Sequence, residues 1–108
     1  MPSRSGPGCA GVQVVSVGAR LDVGTVARLR PRLHEAVESG DGDMIVDLSG
    51  LEMIDAAGLG VLVGTHRRAL RAERRLVLRG VPPRVMRLLA ITRLHRVLKV
   101  ELPAAAAA

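Results

Sequence analysis

The chain has 108 residues, a length typical of one domain, and it contains one cysteine and no phenylalanine, tyrosine or tryptophan. The lone Cys9 excludes an intrachain disulfide, and the lack of aromatic side chains argues against the stacking platforms that hold single-stranded nucleic acid. The net charge of +6 is compatible with nucleic acid, a membrane surface or an acidic protein as a partner, and charge alone does not decide among them.

The two ends of the chain differ in composition from the middle. Residues 1–11 are rich in Gly, Pro and Ser, which predicts a disordered lead, and residues 103–108 read PAAAAA, which predicts a frayed tail. The predicted folded domain is therefore residues 12–102. No apolar run has the length of a membrane span, and the lead lacks the apolar segment of a signal peptide. We expect a cytoplasmic protein without membrane insertion.

Strand and helix patterns alternate from residue 12 onwards. VQVVSV (residues 12–17) predicts a strand, and a second short strand is expected within residues 18–22. The apolar spacing then becomes helical, with Asp22 or Thr25 as the candidate cap and Pro31 expected to kink or restart the helix. The predicted apolar face of this helix consists of Val26, Leu29, Leu33, Ala36 and Val37.

The second half of the domain continues the alternation. MIVDLSG (residues 44–50) is the clearest strand, LVLRG (residues 76–80) is another, and VLKVEL (residues 97–102) is expected to be the last. A helix is predicted from Gly58 and a third one from PPRVMRLLAIT, where prolines are tolerated at the start. The apolar face of the helix from Gly58 is predicted to be Leu59, Leu62, Val63, His66 and Leu70. This order predicts an α/β fold, a small sandwich whose mixed, mostly parallel sheet has four to five strands with helices packed on it.

The segment IDAAGLGVL (residues 54–62) joins a strand to a helix and is the most informative part of the chain. Amides at the start of a helix favour negative charge, so a hydroxyl at position 56 or 57 would be well placed to carry a phosphate, yet both residues are alanine. Asp55 is a predicted helix cap, and Gly58 and Gly60 would permit close approach of another backbone. From spacing alone, a tight turn with a capping aspartate and packing glycines is the favoured interpretation.

Other candidate sites have weaker patterns. His34, His66, His95 and Cys9 lack metal-ligand spacing, and no Ser–His–Asp arrangement can be assembled. We predict no catalytic residue, no metal site and no cofactor, so the protein is not expected to be an enzyme. The arginines between positions 67 and 75 are predicted to form a solvated helix face rather than a surface that binds nucleic acid directly.

Three segments in this order resemble one family. IVDLSGLEMIDAAGLGVLV, preceded by VGARLDVGTVARLRPRL and followed by VMRLLAITRLHRVLKV, is similar to the STAS domain (sulfate transporter and anti-sigma factor antagonist), in its free-standing bacterial anti-anti-sigma type. The resemblance implies a STAS-like sandwich and partner switching. Such a domain binds an anti-sigma factor, often one with a histidine-kinase-like ATPase fold, and so frees a sigma factor. The anti-sigma kinase then phosphorylates the hydroxyl residue before the glycine, which adds about −1.5 to −2 charges and releases the domain.

The family turn Asp-Ser-Ser/Thr-Gly-Leu matches this chain at Asp55, Gly58 and Leu59, whereas Ala57 occupies the phospho-acceptor position and Ala56 the position before it. The resemblance therefore implies an antagonist without a phosphoswitch at the usual site. Its implied partner-binding residues are Asp55, Ala56, Ala57, Gly58, Leu59 and, on the adjacent helix, Arg67.

Two alternatives remain open at this point. The chain is also compatible with a STAS scaffold or an adaptor subunit of a membrane lipid or anion transport system. Ser49 and Thr65, the hydroxyls nearest the turn in sequence, are predicted to be local hydrogen-bond partners, and whether either is an alternative phosphosite stays undecided.

Overall fold

The computed structural model describes residues 12–101; the predicted lead at 1–11 and tail at 103–108 lie outside the described residues. Six strands and three helices follow one another in this range, with a short 3-10 turn (Leu94–Arg96) before the last strand. The elements are β1 (Val12–Ser16), β2 (Arg20–Leu21), α1 (Val26–Glu38), β3 (Asp43–Asp47), β4 (Met53–Ile54), α2 (Ala56–Arg71), β5 (Leu76–Arg79), α3 (Pro83–Ile91) and β6 (Lys99–Val100).

Four of the strands form a parallel sheet in the order β1-β3-β5-β6, and β2 pairs in parallel with β4 as a separate two-stranded sheet. The predicted α/β class is confirmed. Because crossovers between parallel strands are right-handed, an order that advances in one direction places the connecting helices on one face. The burial of β3 agrees with this arrangement, since Met44 and Val46 are buried whereas Ile45, between them, is partly exposed.

The core is built from aliphatic side chains of the strands and helices. Each fully buried leucine contributes about 1.5–3 kcal/mol relative to exposure. The face predicted for α1 is confirmed by the burial of Leu29, Leu33, Ala36 and Val37. The predicted restart at Pro31 is wrong, because α1 runs unbroken through it. Pro31 and Ala27, whose carbonyl loses its usual donor, are both exposed, so water can bond that carbonyl.

The buried face of α2 is rotated from the predicted one. Leu59 and Leu62 are buried as expected, but the stripe continues through Thr65 and Ala69, and Leu70 is 57% exposed. Thr65 tolerates burial because its hydroxyl donates to the Val61 carbonyl over 2.7 Å. A polar side chain that makes its hydrogen bond within its own helix can be buried, although its hydropathy predicts exposure.

One arginine predicted on the solvated face is buried instead. Arg74 is 4% exposed and lies beyond the end of α2, where its guanidinium donates to backbone carbonyls at the end of α1 and in the loop after it. The bonds to Ala36, Val37 and Gly42 are 2.9, 3.0 and 2.9 Å long. Arg74 therefore satisfies the last carbonyls of α1, which have no partner inside their helix.

Candidate functional site

The turn between β4 and α2 is held by the carboxylate of Asp55. One oxygen, Oδ1, accepts the Gly58 amide over 3.0 Å and so caps α2, as predicted. The other, Oδ2, accepts the Val23 amide over 3.0 Å from the loop between β2 and α1. Both bonds favour the charged carboxylate and hold the pKa of Asp55 below its ordinary value, the Gly58 amide being the larger cause. Asp55 thus joins two loops that are distant in sequence.

The backbone contact at Gly58 fixes the same two segments. β2 and β4 pair with Leu21 opposite Ile54, and Gly58 lies against the Leu21 backbone. A Cβ on Gly58 would overlap the Leu21 carbonyl oxygen and lie 2.8 Å from the carbonyl carbon. The predicted close approach of another backbone is therefore found at Gly58, within the chain itself. At Gly60, by contrast, a Cβ would meet no atom within 4 Å.

The loop between β2 and α1 is braced by polar contacts and exposes one apolar side chain. Asp22 is buried, forms a 2.7 Å ion pair with Arg20 and accepts the Gly24 amide over 3.0 Å. Thr25 is the N-cap residue of α1, but its side chain makes no capping bond; its hydroxyl accepts the Asp22 amide instead. Of the two predicted caps, Thr25 is therefore wrong, whereas Asp22 makes the bonds of a capping residue, because its side chain accepts the Gly24 amide and its carbonyl accepts the Val26 amide over 2.9 Å. Val23 in this loop is 75% exposed, and its amide donates to Asp55. No local pattern indicates this exposure, since Val23 resembles any apolar residue near a helix start.

An exposed stripe of α2 continues the surface of the turn. Ala56, Gly60 and Arg67 are exposed and Ala57 is partly exposed. Positions 56 and 67 are eleven residues apart, so at 3.6 residues per turn they point within about 20° of the same direction. We call the surface formed by Val23, Asp55, Ala56, Ala57, Gly60 and Arg67 the docking face.

Two of the six residues predicted to bind a partner are not on that face. Gly58 and Leu59 are buried, so they shape the turn from beneath. Asp55, Ala56, Ala57 and Arg67 are the predicted residues that the structure brings to the surface.

The two candidate hydroxyls differ in accessibility. Thr65 is fully buried and bonded to Val61, so a kinase cannot reach it in the folded chain. Ser49 is exposed in the turn after β3, where its amide donates to Asp47 over 2.9 Å. This amide is the main reason why the pKa of Asp47 lies below its ordinary value. Neither hydroxyl belongs to the docking face.

Within residues 12–101, no three His, Cys, Asp or Glu side chains are grouped closely enough to hold a metal ion. No helix in that same range is long and apolar enough to cross a membrane. The turn presents two alanines at the start of α2 beside the Asp55 carboxylate, and Arg67 lies about three helical turns further along α2.

Comparison with known proteins identifies the family. The model of the STAS domain family matches residues 7–107. The anti-sigma-B factor antagonist of Staphylococcus aureus is 36% identical over 87 residues, which are 81% of this chain and 81% of that protein. The crystal structure of an anti-sigma factor antagonist from Mycobacterium paratuberculosis superimposes with a TM-score of 0.70 at 27% identity, covering 90% of this chain and 82% of that one. An anti-sigma factor antagonist (STAS) domain protein from Planctomyces limnophilus shares the fold, with a TM-score of 0.73 at 21% identity over 86% of this chain and 85% of that one. The chain belongs to the STAS domain family.

Proposed function

We propose that this protein is an anti-sigma factor antagonist that binds its anti-sigma factor through the docking face and frees a sigma factor in the cytoplasm. The observation that carries the proposal is a turn whose frame is complete while its acceptor position has no hydroxyl. Asp55 and Gly58 hold the turn, and Ala57 supplies only a methyl group. The name of the Staphylococcus aureus relative supports the choice of partner.

The alanine leaves the docking face permanently able to bind. A phosphate at position 57 would bring about −1.5 to −2 charges close to the Asp55 carboxylate and into the contact surface. Alanine cannot accept a phosphate and keeps the uncharged surface of the unmodified state. We infer that this antagonist is not released by phosphorylation at the usual site, and that it acts by binding and not by catalysis.

The glycines on α2 are consistent with a partner that approaches closely. A Cβ on Gly60 or Gly64 would meet no atom within 4 Å, so neither glycine is needed for packing within residues 12–101. A glycine inside a helix costs roughly 0.5–1 kcal/mol relative to alanine. Close contact with a partner's backbone would offset that cost on the exposed side of α2.

The test is the affinity for a purified ATPase-type anti-sigma factor from the source organism. Ala57→Asp places a charge at the centre of the face, and Arg67→Glu reverses the charge at its far end. Each is expected to weaken binding about tenfold or more, because a charge buried in a contact without a partner costs well over 1.4 kcal/mol. Arg96→Glu makes the same charge change at an exposed site off the docking face and is expected to leave the affinity unchanged.

Two results would contradict the proposal in different ways. Equal affinities for all three variants and the original chain would show that the docking face is wrong. Failure of the original chain to bind any anti-sigma factor, together with co-purification with a membrane transporter ATPase, would instead favour the adaptor function.

A further inference from the structure

An apolar groove lies beside the docking face, between α3 and the segment that leads into β4. Its volume is about 310 Å³, at the lower end of the range of small-molecule pockets, roughly 300–1,000 Å³. The apolar lining residues are Leu51, Met53, Ile54, Pro82, Val85, Leu88 and Ile91. The groove is distinct from the docking face, but its β4 residues directly precede Asp55.

Two of the large apolar side chains that line the groove are exposed. Ile91 is 73% exposed and Met53 is 47% exposed, whereas Val85, which also lines the groove, is buried in the core. Burial of exposed apolar surface is favourable by roughly 25 cal/mol per Å². The groove therefore offers a favourable site for an apolar chain.

The polar groups of the groove determine the charge of its occupant. Arg84 and Arg87, three residues apart on α3, are exposed lining residues, and within residues 12–101 neither forms an ion pair. Glu52, the one acidic lining residue, belongs to the opposite wall. Two guanidinium groups on one side of an apolar groove are complementary to a carboxylate, which arginine binds in a bidentate manner.

We propose that this groove binds a fatty acid, that is, a single apolar chain with a carboxylate head. The chain lies against the apolar floor, and the carboxylate accepts hydrogen bonds from Arg84 and Arg87. The volume suits one chain rather than a two-chain lipid. A second copy of this protein is a poor occupant because the chain is strongly basic, with a net charge of +6.

The first test is a titration of the full chain with decanoate below its micelle-forming concentration, followed by amide NMR. Saturable shift changes are expected at Met53, Ile54, Leu88 and Ile91. Decanol and decyltrimethylammonium have the same chain with a neutral or a cationic head, and both are expected to bind more weakly. Equal binding of decanol would overturn the assigned role of the arginines, and the absence of saturable changes in the groove would overturn the site.

The second test uses variants at exposed positions, where folding is retained. Arg84→Gln combined with Arg87→Gln is expected to weaken decanoate binding about tenfold, as for the loss of a charge-assisted hydrogen bond. Ile91→Asn is also expected to weaken it, whereas Arg28→Gln, an exposed change on α1, is not. An unchanged affinity in the double variant would contradict the proposal, as would a response to anionic phospholipid vesicles but not to monomeric decanoate. Neither test involves an anti-sigma factor, so the proposed function stands or fails separately.

Discussion

At the scale of single residues, Arg74 shows how far a side chain's role can depart from its sequence context. It follows a run of exposed arginines, yet it is buried and bonds the carbonyls that end α1. Burial is the main reason why the pKa of Arg74 lies below its ordinary value. The acceptors are backbone atoms more than thirty residues away. Local charge patterning therefore cannot distinguish Arg74 from its neighbours.

Replacing Arg74 and its neighbour in turn tests this assignment. Arg74→Met keeps the length of the stem but leaves the α1 carbonyls without a donor, so we expect a loss of about 2–3 kcal/mol in the free energy of unfolding. Arg75→Met removes only an exposed ion pair to Asp43 and should cost about 0–1 kcal/mol. Urea denaturation of the two variants measures the difference. Similar losses in both would contradict the structural role of Arg74.

The carboxylate of Asp55 predicts a pH dependence of stability. Its pKa is lowered in the folded chain, so the folded state binds fewer protons than the unfolded state, and the stabilisation is present above the ordinary carboxyl range. That stabilisation is lost as the pH falls through the lowered pKa. We expect Asp55→Asn to be less stable than the original chain at neutral pH, with a difference that shrinks in acid. Thermal unfolding over a pH series measures it, and a difference that grows towards low pH would disprove the linkage.

At the scale of elements, α2 contains glycines of two kinds. Gly58 lies against the Leu21 backbone, whereas Gly60, two residues on, faces open space. Gly58→Ala is expected to destabilise the fold by about 1–3 kcal/mol or more, as overpacking does. Gly60→Ala is expected to stabilise it by roughly 0.5–1 kcal/mol through helix propensity. Chemical denaturation of the pair measures both, and the same sign of change in both variants would refute the distinction.

The elements differed in how well the sequence predicted them. The apolar face of α1 was predicted correctly because its buried residues are all hydrophobic at helical spacing. The face of α2 was predicted with the wrong rotation, since Thr65 is polar and yet buried. β4 was not predicted as a strand of its own. Two residues, Met53 and Ile54, are too few for a period-two pattern, and β4 is defined by its pairing with β2.

At the scale of the whole molecule, the alternation of strand and helix predicted the fold class but not the strand order or the separate β2–β4 pair. The turn at residues 54–62 was recognisable because its residues are contiguous. Val23 and the α3 groove were missed, since each depends on segments brought together only by folding. The cap at Asp55 was predicted, but not its second bond, to Val23, thirty-two residues away.

The central claim is that the acceptor position of an otherwise complete docking face cannot be phosphorylated. The most direct test is release from the anti-sigma kinase on addition of ATP, comparing the original chain with Ala57→Ser, which restores the hydroxyl. We predict that the original chain stays bound and its mass does not change, whereas the variant gains one phosphate and dissociates. Release of the original chain with phosphate incorporated, at Ser49 for example, would contradict the account.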